Sequence, residues 1–104
     1  MANNHSYDFG RDGLMNSLRT IKSAGIEYTG MKNQITFIEK NSIKTAFAGF
    51  CWKPCFNNLL DLSRVREIVA RAEEKSDVVV VTFHGGSERA EFPFMIMPAR
   101  LSIL

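Results

Sequence analysis

The chain has 104 residues, 45% hydrophobic and 23% charged, with a formal net charge of +2 at pH 7. This is ordinary globular composition, enough for one domain that buries roughly two-thirds of its unfolded surface, and it excludes a disordered chain. So small and scattered an excess of positive charge excludes a nucleic-acid surface, and neither a membrane-spanning apolar window nor a basic-then-apolar leader is present in the sequence.

The chain opens on Ala2-Asn3-Asn4-His5-Ser6-Tyr7-Asp8-Phe9-Gly10, dense in groups that can hold a metal or an oxyanion. An amide oxygen is a hard ligand and an imidazole either ligates or donates a proton, so an Asn-His pair suits a divalent-metal site acting on an ester. Turn and cap chemistry explains the same residues, with Asp8 as a helix cap. Residues 11–24 then place Leu14, Leu18 and Ile21, with Met15 beside them, on the stripe of an amphipathic helix. Its start falls at Asp8 or Gly10 and its left-handed stop at Gly25. The free N–H groups of its first turn would favour a phosphate at the opening motif.

Residues 26–29 are a short strand candidate ending in a turn at Gly30. Residues 35–39 and 43–50 flank Lys40-Asn41-Ser42 and predict a β-hairpin. In its second strand Ile43, Thr45, Phe47 and Gly49 share one face and Lys44, Ala46, Ala48 and Phe50 the other. Small alanines leave room for a packed neighbour, which places this strand inside a sheet. Residues 51–60 lose periodicity, and Pro54 with Asn57-Asn58 marks a loop. Trp52 and Phe56 are expected to plug the edge of the core rather than line a cleft. The spacing of Cys51 and Cys55 matches neither a redox pair nor a zinc site, so both are expected as free thiols.

Ser63 is the expected cap of a second helix over 64–75, with Val65, Ile68, Val69 and Ala72 on its apolar stripe. Arg64, Arg66, Glu67, Arg71, Glu73 and Glu74 form its solvated face. Asp77-Val78-Val79-Val80-Val81-Thr82-Phe83-His84-Gly85-Gly86-Ser87-Glu88 follows, a strand without polar alternation, expected to be covered on both faces at the centre of a parallel or mixed sheet. Its carboxyl end would lie on the rim where α/β sheets carry ligands, and the glycines let backbone approach a bound group. A histidine there is also an ordinary loop residue. Strand, helix and strand across residues 43–83 fit a right-handed βαβ unit. Residues 89–104, with Phe92-Pro93-Phe94-Met95-Ile96-Met97-Pro98, carry no period and break the pattern.

The order Asn-Asn-His, Asp-x-Gly, helix, Ala24-Gly25-Ile26-Glu27-Tyr28-Thr29-Gly30, a hairpin ending Ala46-Phe47-Ala48-Gly49-Phe50, then the valine strand ending His84-Gly85-Gly86-Ser87-Glu88, resembles the capsule-assembly (CapA) family. That family is also linked to poly-γ-glutamate synthesis and has the fold of the calcineurin-like metallophosphoesterases. The resemblance divides the chain into a CapA-like metallophosphoesterase fragment over 1–88 and a divergent or frame-shifted tail over 89–104. The implied fold class is α/β: a partial metallophosphoesterase-like α-β-β-α sandwich with a mixed sheet and two main helices.

The resemblance implies Asn4 as a ligand of the second metal and His84 as a metal ligand after a central strand. It implies His5 as the catalytic residue that contacts phosphoryl oxygens and protonates the leaving group. Asp8, Gly10, Gly85 and Glu88 match as shaping residues. Divalent metal ions of the Mn, Fe or Zn type are the implied cofactors, and a phosphoester or anionic polymer the implied substrate. The sequence departs from the family pattern, because an Asp-x-His and a Gly-Asp would have to precede Met1, and the Gly-His-x-His that should follow Glu88 does not occur. So few ligands hold a divalent ion weakly, so the expectation is a role in capsule or poly-γ-glutamate biosynthesis with a metal site incomplete in this chain. The alternatives are a non-catalytic scaffold in polymer assembly or export, and a module that holds a sugar or phosphate without metal. The family is often membrane-anchored at the cell surface, whereas this chain reads as soluble. A sheet without its first strand exposes an edge, so self-association or pairing with segments of a longer chain is expected.

Overall fold

The computed structural model describes residues 1–85. Expectations for Gly86, Ser87, Glu88 and the tail at 89–104 lie outside the described residues. In chain order the elements are α1 (Gly10–Ser23), β1 (Thr36–Lys40), β2 (Ile43–Cys51), α2 (Leu62–Glu74) and β3 (Val78–His84). The strands form one mixed sheet in the order β1-β2-β3, with β1 antiparallel and β3 parallel to β2. The α/β class, the hairpin and the parallel pair joined by a helix follow the sequence expectation.

The hairpin turns through Asn41 and Ser42, both at positive φ (54° and 65°), a two-residue turn whose twist matches that of the strands it joins. β2 lies in the middle because its alanines let α2 approach. Ala48 and Phe50 are buried against Ile68 and Val81, with Val65, Val69, Val79 and Phe83 packed around them. Burying each large side chain of this layer contributes about 2 kcal/mol. Ile68 and Ala72 are the buried residues of α2, as its stripe predicts.

Several expectations need correction. The valine strand is not central: β3 is the outer strand of the described sheet, and Val78, Val79 and Val80 are only half-buried. Uninterrupted β-branched residues report affinity for a sheet, whereas the central place goes to the strand that tolerates neighbours on both edges and a helix overhead. Residues 26–29 do not form a strand. Their polar groups are met by side chains instead: the Tyr28 carbonyl accepts from Gln34 Nε2 (3.0 Å) and Thr36 Oγ1 (2.6 Å), and Thr29 Oγ1 donates to the Phe47 carbonyl (2.8 Å). The cap of α2 is Asp61, whose carboxylate accepts from the Arg64 N–H (3.2 Å), and not Ser63. Nor is Arg64 simply solvated, since its guanidinium binds Asn33 Oδ1 and Glu67 Oε2 (2.6 Å). Phe56 is buried as expected, but Trp52 is 46% exposed with the Lys53 ammonium 4.4 Å from its ring centroid. The side chain beside it explains the difference, because an amphipathic ring can be covered by a cation while remaining in water.

Among the described residues, the face of the sheet opposite α2 is covered only at one end. There Gly30 crosses so close to Gly49 that a Cβ on Gly49 would stand 3.1 Å from the Gly30 Cα. Beyond that crossing α1 turns Leu14 and Leu18 toward Cys51 and Phe56, with Ala2, Tyr7, Tyr28 and Met31 around them. Gly25, at φ +75°, supplies the left-handed stop that its place after α1 predicts.

Candidate functional site

The opening loop is held by its own polar groups. The Asn3 side-chain oxygen accepts from the N–H groups of His5 (2.8 Å) and Ser6 (2.9 Å), an Asx turn that sets the direction of the next residues. Ser6 Oγ and Asn3 Nδ2 both donate to the Met1 carbonyl, at 2.5 and 3.3 Å, and the Met1 amine donates to the Thr29 carbonyl at 2.9 Å. Asn3, named in the sequence only as part of the motif, is therefore the residue that shapes it. An asparagine two positions before a histidine is the signal that marks this geometry, since Asn bonds its own backbone two residues on.

On this loop His5 Nδ1 lies 2.8 Å from Asp8 Oδ2. Asp8 does not cap α1; the cap position is Phe9, which makes no side-chain cap bond. A carboxylate only accepts, so Nδ1 carries the hydrogen and Nε2 is left facing outward on a side chain that is 73% exposed. This arrangement can present one donor or acceptor to a ligand oxygen in a fixed orientation.

Cys51 is the point at which the two sequence segments meet. Its Sγ lies 4.0 Å from the Asn3 carbonyl on one side, and in the parallel register it is the partner of His84 on the other. The opening loop and the end of β3 therefore both reach the carboxyl rim of the parallel pair. Asn4 stands in that loop, half-buried; His84 and Gly85 are exposed.

The donor set of the described residues does not by itself fit a dinuclear metal centre. Among the described residues no three His, Cys, Asp or Glu side chains converge closely enough to hold an ion. Among the described residues, one imidazole and one amide, at His84 and Asn4, have no carboxylate or thiolate grouped with them that would complete a shell.

Both cysteines are free thiols, as expected. Burial pushes the Cys51 thiol up, outweighing the Lys53 N–H, the terminal amine and the Lys53 ammonium that pull it down. Alkylation of the folded protein should therefore modify Cys55, which is partly exposed, well before Cys51. A raised pKa in the fold means that the folded chain keeps a proton that the unfolded chain has lost. Its contribution to stability is complete below about pH 9 and is lost as the pH rises beyond that value. Urea midpoints that fall above pH 9 in the parent but stay level in Cys51→Ala would establish this; equal rates of alkylation at the two cysteines would contradict it.

The fold and rim define a class: an α/β domain whose mixed sheet brings a helix-leading polar loop and a strand-ending histidine to the carboxyl rim of its parallel strands. The family follows from the sequence as a whole. The chain belongs to the bacterial capsule synthesis protein family PGA_cap, whose family model matches residues 1–94. No curated protein and no solved structure matches the chain. Among the described residues no helix is long and apolar enough to cross a membrane.

Proposed function

We propose that this chain acts in the biosynthesis of capsule or poly-γ-glutamate through a metallophosphoesterase-type rim site to which it contributes Asn4, His5 and His84 without completing it. The observation that supports this most is the His5–Asp8 pair at 2.8 Å on a loop fixed by Asn3. Asp8 fixes the tautomer and angle of the ring, so that, when His5 is protonated, Nε2 donates to a phosphoryl oxygen and passes its proton to the leaving oxygen as the P–O bond breaks. His5 is then left neutral with Nδ1–H on Asp8. Divalent ions in such sites supply an activated water and neutralise developing charge; the residues described here do not hold them unaided.

Titration of the purified chain with inorganic phosphate, followed by NMR at the His5 ring, should show saturable binding that His5→Ala weakens about tenfold, the value of one charge-assisted hydrogen bond. Asp8→Asn should weaken it less, because the ring loses its orienting partner but keeps its own contact with the ligand. Equal phosphate affinity in parent and His5→Ala would sink the site. Robust turnover of a chromogenic phosphodiester by the chain with manganese, abolished in His5→Ala, would show instead that the site is complete.

A second reading, a non-catalytic scaffold in polymer assembly, is favoured by the apolar sheet face that no described helix covers. Capsule retained in cells that carry His5→Ala and His84→Ala together would decide for the scaffold.

A further inference from the structure

Lys53 is half-buried just beyond the carboxyl end of β2 and forms no ion pair among the described residues. Its ammonium stands instead 4.4 Å from the centroid of the Trp52 ring. The ring quadrupole attracts the ammonium and narrows the rotamers it samples, so Trp52 holds the charge in place without neutralising it. Lys53 also precedes Pro54, whose ring restricts the backbone of the residue before it.

A chain of polar contacts ties this cation to the opening loop. The Lys53 N–H donates to Cys51 Sγ, and the Cys51 thiol donates to the Asn3 carbonyl at 4.0 Å. Asn3 Oδ1 in turn accepts from the His5 N–H at 2.8 Å. The residues that follow β2 therefore curl back over Cys51 toward the loop that carries His5. The carboxylate of that loop, Asp8, is already engaged by the His5 ring, which leaves the Lys53 charge without an acidic partner.

We propose that Lys53 determines specificity at the rim by taking a second anionic group of the phosphoester that His5 holds, with Trp52 as the residue that positions its ammonium. This rests on the phosphate reading of His5 given above and adds the class of ligand: one that carries a further negative charge beyond its phosphate. An anionic group gains a charge-assisted hydrogen bond from the waiting ammonium, whereas an apolar group would strip water from that charge and return nothing.

Inorganic phosphate and tripolyphosphate, compared at equal ionic strength, test it by NMR at the His5 ring and by the emission of Trp52, the single tryptophan of the chain. The parent should bind tripolyphosphate about tenfold more tightly than phosphate. Only tripolyphosphate should change the Trp52 emission, because it draws the ammonium from the ring. Lys53→Gln should remove most of that preference and Lys53→Arg should keep it. Trp52→Leu should weaken tripolyphosphate binding several-fold and Trp52→Phe should recover most of the loss, because a ring and not bulk holds the cation. Lys40→Gln removes the same charge at the hairpin turn, at the other end of β2, and should change the preference less than about twofold. Phosphate bound at His5 without any preference for tripolyphosphate, or a preference that Lys53→Gln and Lys40→Gln reduce alike, would overturn this inference and leave the phosphate site standing. Failure of both anions to perturb the His5 ring would overturn the two together.

Discussion

Gly30→Ala should lower the stability of the fold by about 3 kcal/mol and free the opening loop at the same time. Gly30 sits at φ +113°, where a side chain is strained whatever space surrounds it. Space is also lacking, because the new Cβ would fall 2.7 Å from both the Ala2 Cβ and the Ala2 backbone nitrogen. Backbone cannot step aside as the tip of a lysine can, so Ala2 and the loop behind it must lift from the sheet. Gly25→Ala is the control: it too has a left-handed φ (+75°), but nothing lies within 4 Å of its Cβ position, and about 1 kcal/mol is expected. Urea unfolding compares the two, and NMR shifts at His5 report the loop. Equal losses in both variants would mean that the contact with Ala2 carries no weight.

Asn57→Ala should cost a similar amount, about 3 kcal/mol or more, by leaving several buried groups without partners. Asn57 is 2% exposed, the single polar side chain among the buried residues described. Its oxygen accepts from the Asn33 N–H at 2.6 Å, and its amide nitrogen donates to the carbonyls of Gly49 (3.1 Å) and Gln34 (3.3 Å). One side chain thus fastens the 30–34 loop to β2, and Arg64 reaches the same loop through Asn33. Neighbouring Asn58 is exposed and makes one local bond, from the Leu60 N–H at 2.9 Å, so Asn58→Ala should cost under about 1 kcal/mol. Similar urea midpoints for the two variants would show that water replaces the lost Asn57 bonds.

Much of the architecture was legible in the sequence. Periodicity located both helices, and the Leu14, Leu18 and Ile68, Ala72 positions it selected are buried. The turn trio at Lys40-Asn41-Ser42 located the hairpin, because positive φ is readily adopted by Asn and its neighbours in so short a connection. What periodicity could not rank was one strand against another: the run of valines and the alanine-bearing β2 both read as interior, and in the described sheet only β2 is. It also could not separate Asp61 from Ser63 as the cap of α2, since either side chain can bond an N–H at a helix start.

For the site, the division falls between residue type and residue partner. The amino-acid sequence alone determined the family, the two helices, the hairpin and the chemical kinds of group available, because these depend on local spacing and on identities along the chain. Only the folded chain decided that Asp8 binds His5 rather than capping α1, that Asn3 bends the loop, and that Cys51 joins that loop to the end of β3. Each of those outcomes is a competition between one polar group and several acceptors or donors of similar strength, and it is settled by where packing of Gly30 on Gly49 and Ala2 on Gly30 places the backbone.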